Sequence, residues 1–191
     1  MGRYTYGIIG MGRMGNYLAT MLTQKGERAM IGNRYGSLAG SAELASISDV
    51  LLITVPPNAM KELANMIKPY IRDDLYIIST DTQTSFDYIA HLFGRTHRIS
   101  RASPTPYWGK CVRTPYLANY DGVTDTVMTN LFGSRSVLRV ADERTFQAIT
   151  DFIQKAPMDI ARSTLNLIHD GRDPQIVMDE MLLHNPKEVD E

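Results

Sequence analysis

Residues 7–22 read GIIGMGRMGNYLATML, and the spacing of their glycines decides the fold. Ile8 and Ile9 end an apolar, β-branched run. Gly10, Gly12 and Gly15 follow, and Met14, Leu18, Met21 and Leu22 then recur at helical spacing. A strand, a glycine turn and a helix in that order ask three things of the glycines. Gly10 lets the chain turn sharply out of the strand, Gly12 leaves room for an anion against the backbone, and Gly15 lets helix and strand pack closely. The N–H groups of the helix's first turn, at the positive end of its dipole, would hold a pyrophosphate there. A Gly-x-Gly-x-x-Gly spacing alone is common. The flanking strand and helix, and a second strand in ERAMIGNR at 27–34, make dinucleotide binding the expectation.

Outward from this turn, strand and helix patterns alternate. DVLLITV, DLYIIST and HRISRAS read as strands, and NAMKELANMIKPYI and SFDYIAHLF as helices, with Gly26 and Gly94 as helix ends. Between the second strand and DVLLITV lies YGSLAGSAELASIS, a short piece rich in Ser, Ala and Gly. The nearly continuous apolar strands imply a sheet covered on both faces. The fold class expected is α/β: a Rossmann-type, doubly wound, mostly parallel sheet followed by a short C-terminal helical segment. The divisions expected are 1–140 for the Rossmann-type dinucleotide-binding domain, 141–185 for the helical segment and 186–191 for a frayed tail. In the helical segment, ERTFQAITDFIQK, MDIARSTLNLIHD and PQIVMDEMLLH are amphipathic.

Composition excludes several functions. With 20 Lys+Arg against 21 Asp+Glu, the net charge of −1 gives no electrostatic footprint for nucleic acid. No apolar run reaches membrane-spanning length, and no signal peptide is legible, so a cytoplasmic protein without membrane attachment is expected. The single cysteine, Cys111, fits a reducing compartment and has no base beside it in WGKCVRTP. The four histidines match no zinc spacing, so no metal is expected. The 11 methionines, Met60, Met66, Met178 and Met181 among them, read as packing residues.

The end of the second strand bears on the choice of dinucleotide. An acidic side chain there suits the ribose of NAD; this chain has Asn33-Arg34, and a guanidinium suits the 2′-phosphate of NADP. Taken together, GIIGMGRMG, Asn33-Arg34, SDVLLITVPPNAMKELANMI and RISRASPTP resemble the pyrroline-5-carboxylate reductase family and its deazaflavin-dependent NADP reductase relatives, over roughly residues 5–140. Arg101 and Pro104 fall on matching positions of the family's Arg-x-x-Pro segment. The resemblance implies that Met11, Gly12, Arg13 and Met14 hold the pyrophosphate, that Asn33 and Arg34 hold the adenosine phosphate, and that Ser41 lies near the ribose. It also implies that Val55, Pro56, Pro57, Pro104 and Thr105 line the nicotinamide side. Pro56 stands where the family commonly has lysine, and Thr105 where it has asparagine. Only about fifty residues follow Val140, a shorter helical segment than the family's. The resemblance therefore carries the cofactor and not the substrate.

The function expected is NADP-dependent hydride transfer to or from a small imine or carbonyl compound. The alternatives are a non-catalytic NADP(H)-binding sensor or scaffold, and a prephenate dehydrogenase-like enzyme. The latter group also has a VPP segment, but carries His-Pro where this chain has Ser103-Pro104. No catalytic residue is assigned. Candidate proton donors are Thr80, Thr82, Thr105, Tyr107 and Tyr116, although STDTQTS also reads as a loop capping the helix that begins near Ser85. Trp108 reads first as a packing residue and second as a ring-stacking one. Arg101, Lys110 and Arg113 are candidate cations for a carboxylate substrate. The C-terminal helices look too few to bury their own faces, which points to a homodimer formed through them.

Overall fold

In a computed structural model, residues 4–32, 38–94, 98–104, 113–118 and 123–184 are described. Their strands form one seven-stranded sheet: β1 (Thr5–Ile9), β2 (Arg28–Ile31), β3 (Val50–Ile53), β4 (Tyr76–Ser79), β5 (Arg98–Ala102), β6 (Thr114–Ala118) and β7 (Val137–Arg139). The spatial order is β2-β1-β3-β4-β5-β6-β7. The first five strands are mutually parallel, β6 runs antiparallel to β5, and β7 is parallel to β6. The expected mostly parallel sheet is therefore present. Pro115 sits inside β6; it has no N–H to give, and its carbonyl accepts from the Ser103 N–H at 3.0 Å.

Side chains alternate across a strand, so neighbouring residues enter different cores. Ile8, Leu52, Tyr76 and Ile78 face the helices α1 (Arg13–Gln24) and α5 (Val123–Phe132). Ile9, Leu51, Ile53 and Ile77 face the opposite layer. That layer contains α2 (Leu38–Ile47), α3 (Pro57–Ile67), α4 (Phe86–Phe93) and the C-terminal helices α6 (Glu143–Lys155), α7 (Met158–His169) and α8 (Pro174–His184). Helices on both faces explain why β3 and β4 are buried along their whole length.

One element is unassigned in the sequence and one expectation needs correction. The Ser/Ala/Gly-rich piece before β3 contains a ten-residue helix, α2. Its small residues draw no apolar stripe, and its end approaches β1 so closely that a Cβ on Gly7 would run into Ser48. The faces of the C-terminal helices are also largely covered within one chain. Phe146, Ile149 and Ile153 of α6 and Ala161 and Leu165 of α7 share a core with the sheet. The large apolar groups left exposed on α8 are Ile176, Leu182 and Leu183. The methionines behave as packing residues: Met60 and Met178 are buried, with Met66 and Met181 against the same core.

Candidate functional site: the crevice at the strand ends

The strand order reverses between β1, whose helix leads to β2 on one side, and β3 on the other. In open α/β sheets such a switch point leaves a crevice outside the carboxyl ends of the strands. A cavity of about 620 Å³ lies there. Its wall is built from the loops that leave four strands: Gly12, Arg13 and Met14 after β1; Thr54, Val55, Pro56 and Pro57 after β3; Thr80, Asp81, Thr82 and Gln83 after β4; Ser103 and Pro104 after β5. Ile153 and Gln154 of α6 complete it.

The glycine turn has the local form its spacing implied. Gly10 has φ +106°, a left-handed conformation open to glycine, and Thr54 Oγ1 donates to the Gly10 carbonyl at 2.6 Å. A Cβ on Gly15 would strike the Gly10 carbonyl oxygen, so this glycine serves helix–strand contact. A Cβ on Gly12 would meet no atom within 4 Å. Among the described residues, none needs Gly12 to be bare. Gly12 is the N-cap of α1 and supplies no side-chain cap, and no acidic residue lies in the first turn. An uncapped helix N-terminus facing an open cradle fits a phosphate.

Among the described residues expected at the cofactor, Gly12, Arg13, Met14, Val55, Pro56, Pro57 and Pro104 line the cavity. Gly10 shapes the turn behind it, and the Met11 carbonyl accepts from Asn16 Nδ2 at 3.0 Å. Ser41 is not in the lining; it is buried in α2, 3% exposed. Asn33, Arg34, Thr105, Tyr107, Trp108, Lys110 and Cys111 lie outside the described residues.

Three other candidates are placed away from substrate work. The Tyr116 hydroxyl donates to Asp125 Oδ1 at 2.7 Å, and Arg139 bonds the other oxygen of that carboxylate. Burial, seconded by Asp125, pushes the Tyr116 phenol above the ordinary tyrosine range. It belongs to the core under α5 rather than to the crevice. Arg113 bonds the Asn166 side chain at 3.1 Å and the Arg135 carbonyl at 2.8 Å. Arg101 is 1% exposed: Nη1 donates to Glu143 Oε1 at 2.5 Å, Nε donates to the Asp81 carbonyl at 3.3 Å, and the guanidinium lies over the Phe146 ring. Burial pulls its pKa below the usual arginine value, and Glu143 and Asp81 oppose that shift. Glu143 Oε1 also accepts from the Phe86 N–H at 2.7 Å, so one carboxylate ties α6 to β5 and to the start of α4.

The STDTQTS loop has the capping role read for it, with an addition. Ser85 Oγ accepts from the Tyr88 N–H at 3.2 Å and caps α4. Asp81 Oδ1 accepts from the N–H groups of Gln83 and Thr84, and the Thr84 hydroxyl bonds Asp81 Oδ2. Asp81 thus makes a rigid turn that presents Thr80, Thr82 and Gln83 to the cavity. Sequence reasoning missed Thr54, Ile153 and Gln154. Thr54 had a signal, being polar at the end of an apolar strand, whereas nothing local to α6 connects it with a loop some 70 positions earlier. Among the described residues, no group of three potential metal ligands occurs.

The fold is of the Rossmann type, with its crevice at the carboxyl ends of the strands. Residues 5–82 match the family model described as NADP oxidoreductase coenzyme F420-dependent. The chain is similar in structure to the pyrroline carboxylate reductase of Plasmodium falciparum solved with NADP bound: TM-score 0.67, 16% identity, 96% of this chain and 77% of that one covered. It is similar to the pyrroline-5-carboxylate reductase of Coxiella burnetii: TM-score 0.65, 19% identity, 98% and 83% covered. Prephenate dehydrogenase from A. aeolicus, solved with NAD+, follows with a TM-score of 0.57, 12% identity, and 99% and 85% covered. A search by sequence among curated proteins finds no match. At these identities the likeness establishes the fold, and the resemblance to pyrroline-5-carboxylate reductases read from the sequence holds.

Proposed function

We propose that the protein is an NADP-dependent oxidoreductase acting on a small imine or carbonyl compound. The observation that carries this reading is the open Gly12 cradle at an uncapped helix N-terminus, continuous with a cavity that reaches past it to polar groups on the β4 loop and α6. The backbone of residues 11–14 holds the pyrophosphate. Asn33 and Arg34 take the 2′-phosphate, and Val55, Pro56, Pro57 and Pro104 give the nicotinamide a dry wall. The bound cofactor supplies the hydride. The chain's own part is to exclude water, to orient the acceptor and to hydrogen-bond the heteroatom that gains charge. A sensor that only binds the dinucleotide needs the cradle but not the polar far end, which favours the enzyme.

The test is NADPH oxidation, followed by its near-ultraviolet absorbance, with pyrroline-5-carboxylate and simple cyclic imines. Protein-dependent loss of absorbance is expected. A raised melting temperature with NADPH, without turnover of any acceptor, would establish the binding module instead. Arg34→Glu should weaken NADPH binding at least about tenfold more than NADH binding, since the guanidinium meets only the phosphorylated ribose. Equal losses would remove the case for NADP.

A further inference from the structure

The hydroxyls lining the cavity are not equivalent. Thr54 Oγ1 donates to the carbonyls of Gly10 and Ile9, and Thr80 Oγ1 donates to the Ile53 carbonyl at 3.3 Å. Each of these protons is committed to backbone. Thr82 is the reverse case: its Oγ1 accepts from Gln154 Nε2 at 3.4 Å. A hydroxyl has one proton to give, and a donor seated on its oxygen leaves that proton for another acceptor. Thr82 lies on the cavity wall on a loop braced by the Asp81 turn. Gln154 lies near the end of α6, whose first turn is tied to β5 and α4 where Glu143 binds Arg101 and the Phe86 N–H.

Resting on the reductase reading above, we propose that the Thr82 hydroxyl hydrogen-bonds the reacting heteroatom of the substrate, and that Gln154 is the positioning residue that aims it. The substrate class follows from the direction of the bond. An O–H donor matches the lone pair of a carbonyl or a neutral imine. The C-terminal segment thus contributes to the substrate side from within the same chain, through α6.

The experiment uses the NADP+-loaded full chain and an unreactive probe, 2-pyrrolidinone, whose carbonyl offers that lone pair. Its dissociation constant is read by saturation-transfer NMR. Thr82→Val should weaken probe binding about tenfold, as loss of a neutral hydrogen bond implies. Thr82→Ser should stay within about twofold, and Gln154→Leu should lose about threefold. NADP+ binding, read by thermal shift, should be unaltered in all three. Unchanged probe binding in Thr82→Val, or no binding by the loaded wild type, overturns this proposal and leaves the cofactor reading standing. A loss that instead follows Ser103→Ala also overturns it. Failure of the wild type to bind NADP+ overturns the reductase reading itself.

Discussion

Gly12 and Gly15 lie three positions apart and fail differently. A methyl at Gly15 meets the Gly10 carbonyl oxygen, a backbone atom that cannot swing away. Gly15→Ala should push α1 off β1 and cost about 2–3 kcal/mol, visible as a lower urea midpoint. A methyl at Gly12 meets no atom of the described residues within 4 Å. Gly12→Ala should unfold within about 0.5 kcal/mol of the wild type yet bind NADPH far more weakly. A cradle that tolerates the methyl in both assays would not be a phosphate site. This much was legible in the sequence, because a strand, three spaced glycines and a helix are all within one local stretch. Gln154 was not, because its partner lies 72 positions away, and the polar Thr54 at a strand end hinted at a role without naming its partner 44 positions back. Such contacts come from the sheet order, which local periodicity does not encode.

At the scale of the element, α6 joins stability to the site. Its N-cap, Asp142, accepts from the Thr145 N–H at 2.9 Å and the Thr145 hydroxyl at 2.8 Å. Those bonds, the backbone one first, hold the Asp142 carboxyl below the usual aspartate range. A carboxyl with a depressed native pKa stabilises the fold above its unfolded pKa and loses that contribution as the pH falls through the native value. Asp142→Ala should therefore cost about 1 kcal/mol at pH 7, and the difference should close on acidification below about pH 4. Denaturant titrations at pH 7 and pH 3 measure both. The next residue acts through a different force. Glu143→Ala strands the Arg101 guanidinium without its charge partner, and should cost about 3 kcal/mol or more. The elements most legible in the sequence were strands such as β3 and β4, where burial on both faces writes a solid apolar run. Helix α2 was illegible because its Ala, Gly and Ser residues pack by being small and leave no stripe to read.

At the scale of the whole molecule, the case for a homodimer now rests on α8 rather than on a general shortage of core. The buried apolar residues of α6 and α7 share one core with the sheet and α8. What remains is a groove of about 260 Å³ between α6 and α8, walled by Phe152, Ile160, Met178 and Met181. On the same helix, α8, Ile176 is 55% exposed and Leu183 77%. A twofold interface needs one patch that complements itself. The proposed pairing seats Leu183 of each protomer toward the groove of the other. Light scattering at micromolar concentration should give a dimer for the wild type. Ile176→Glu combined with Leu183→Glu should give a monomer with its melting temperature in NADPH still raised, because the crevice is built on the far side of α6 from strand-end loops of a single chain. A monomeric wild type would overturn the pairing, and loss of NADPH binding on dissociation would show that the crevice depends on the second copy.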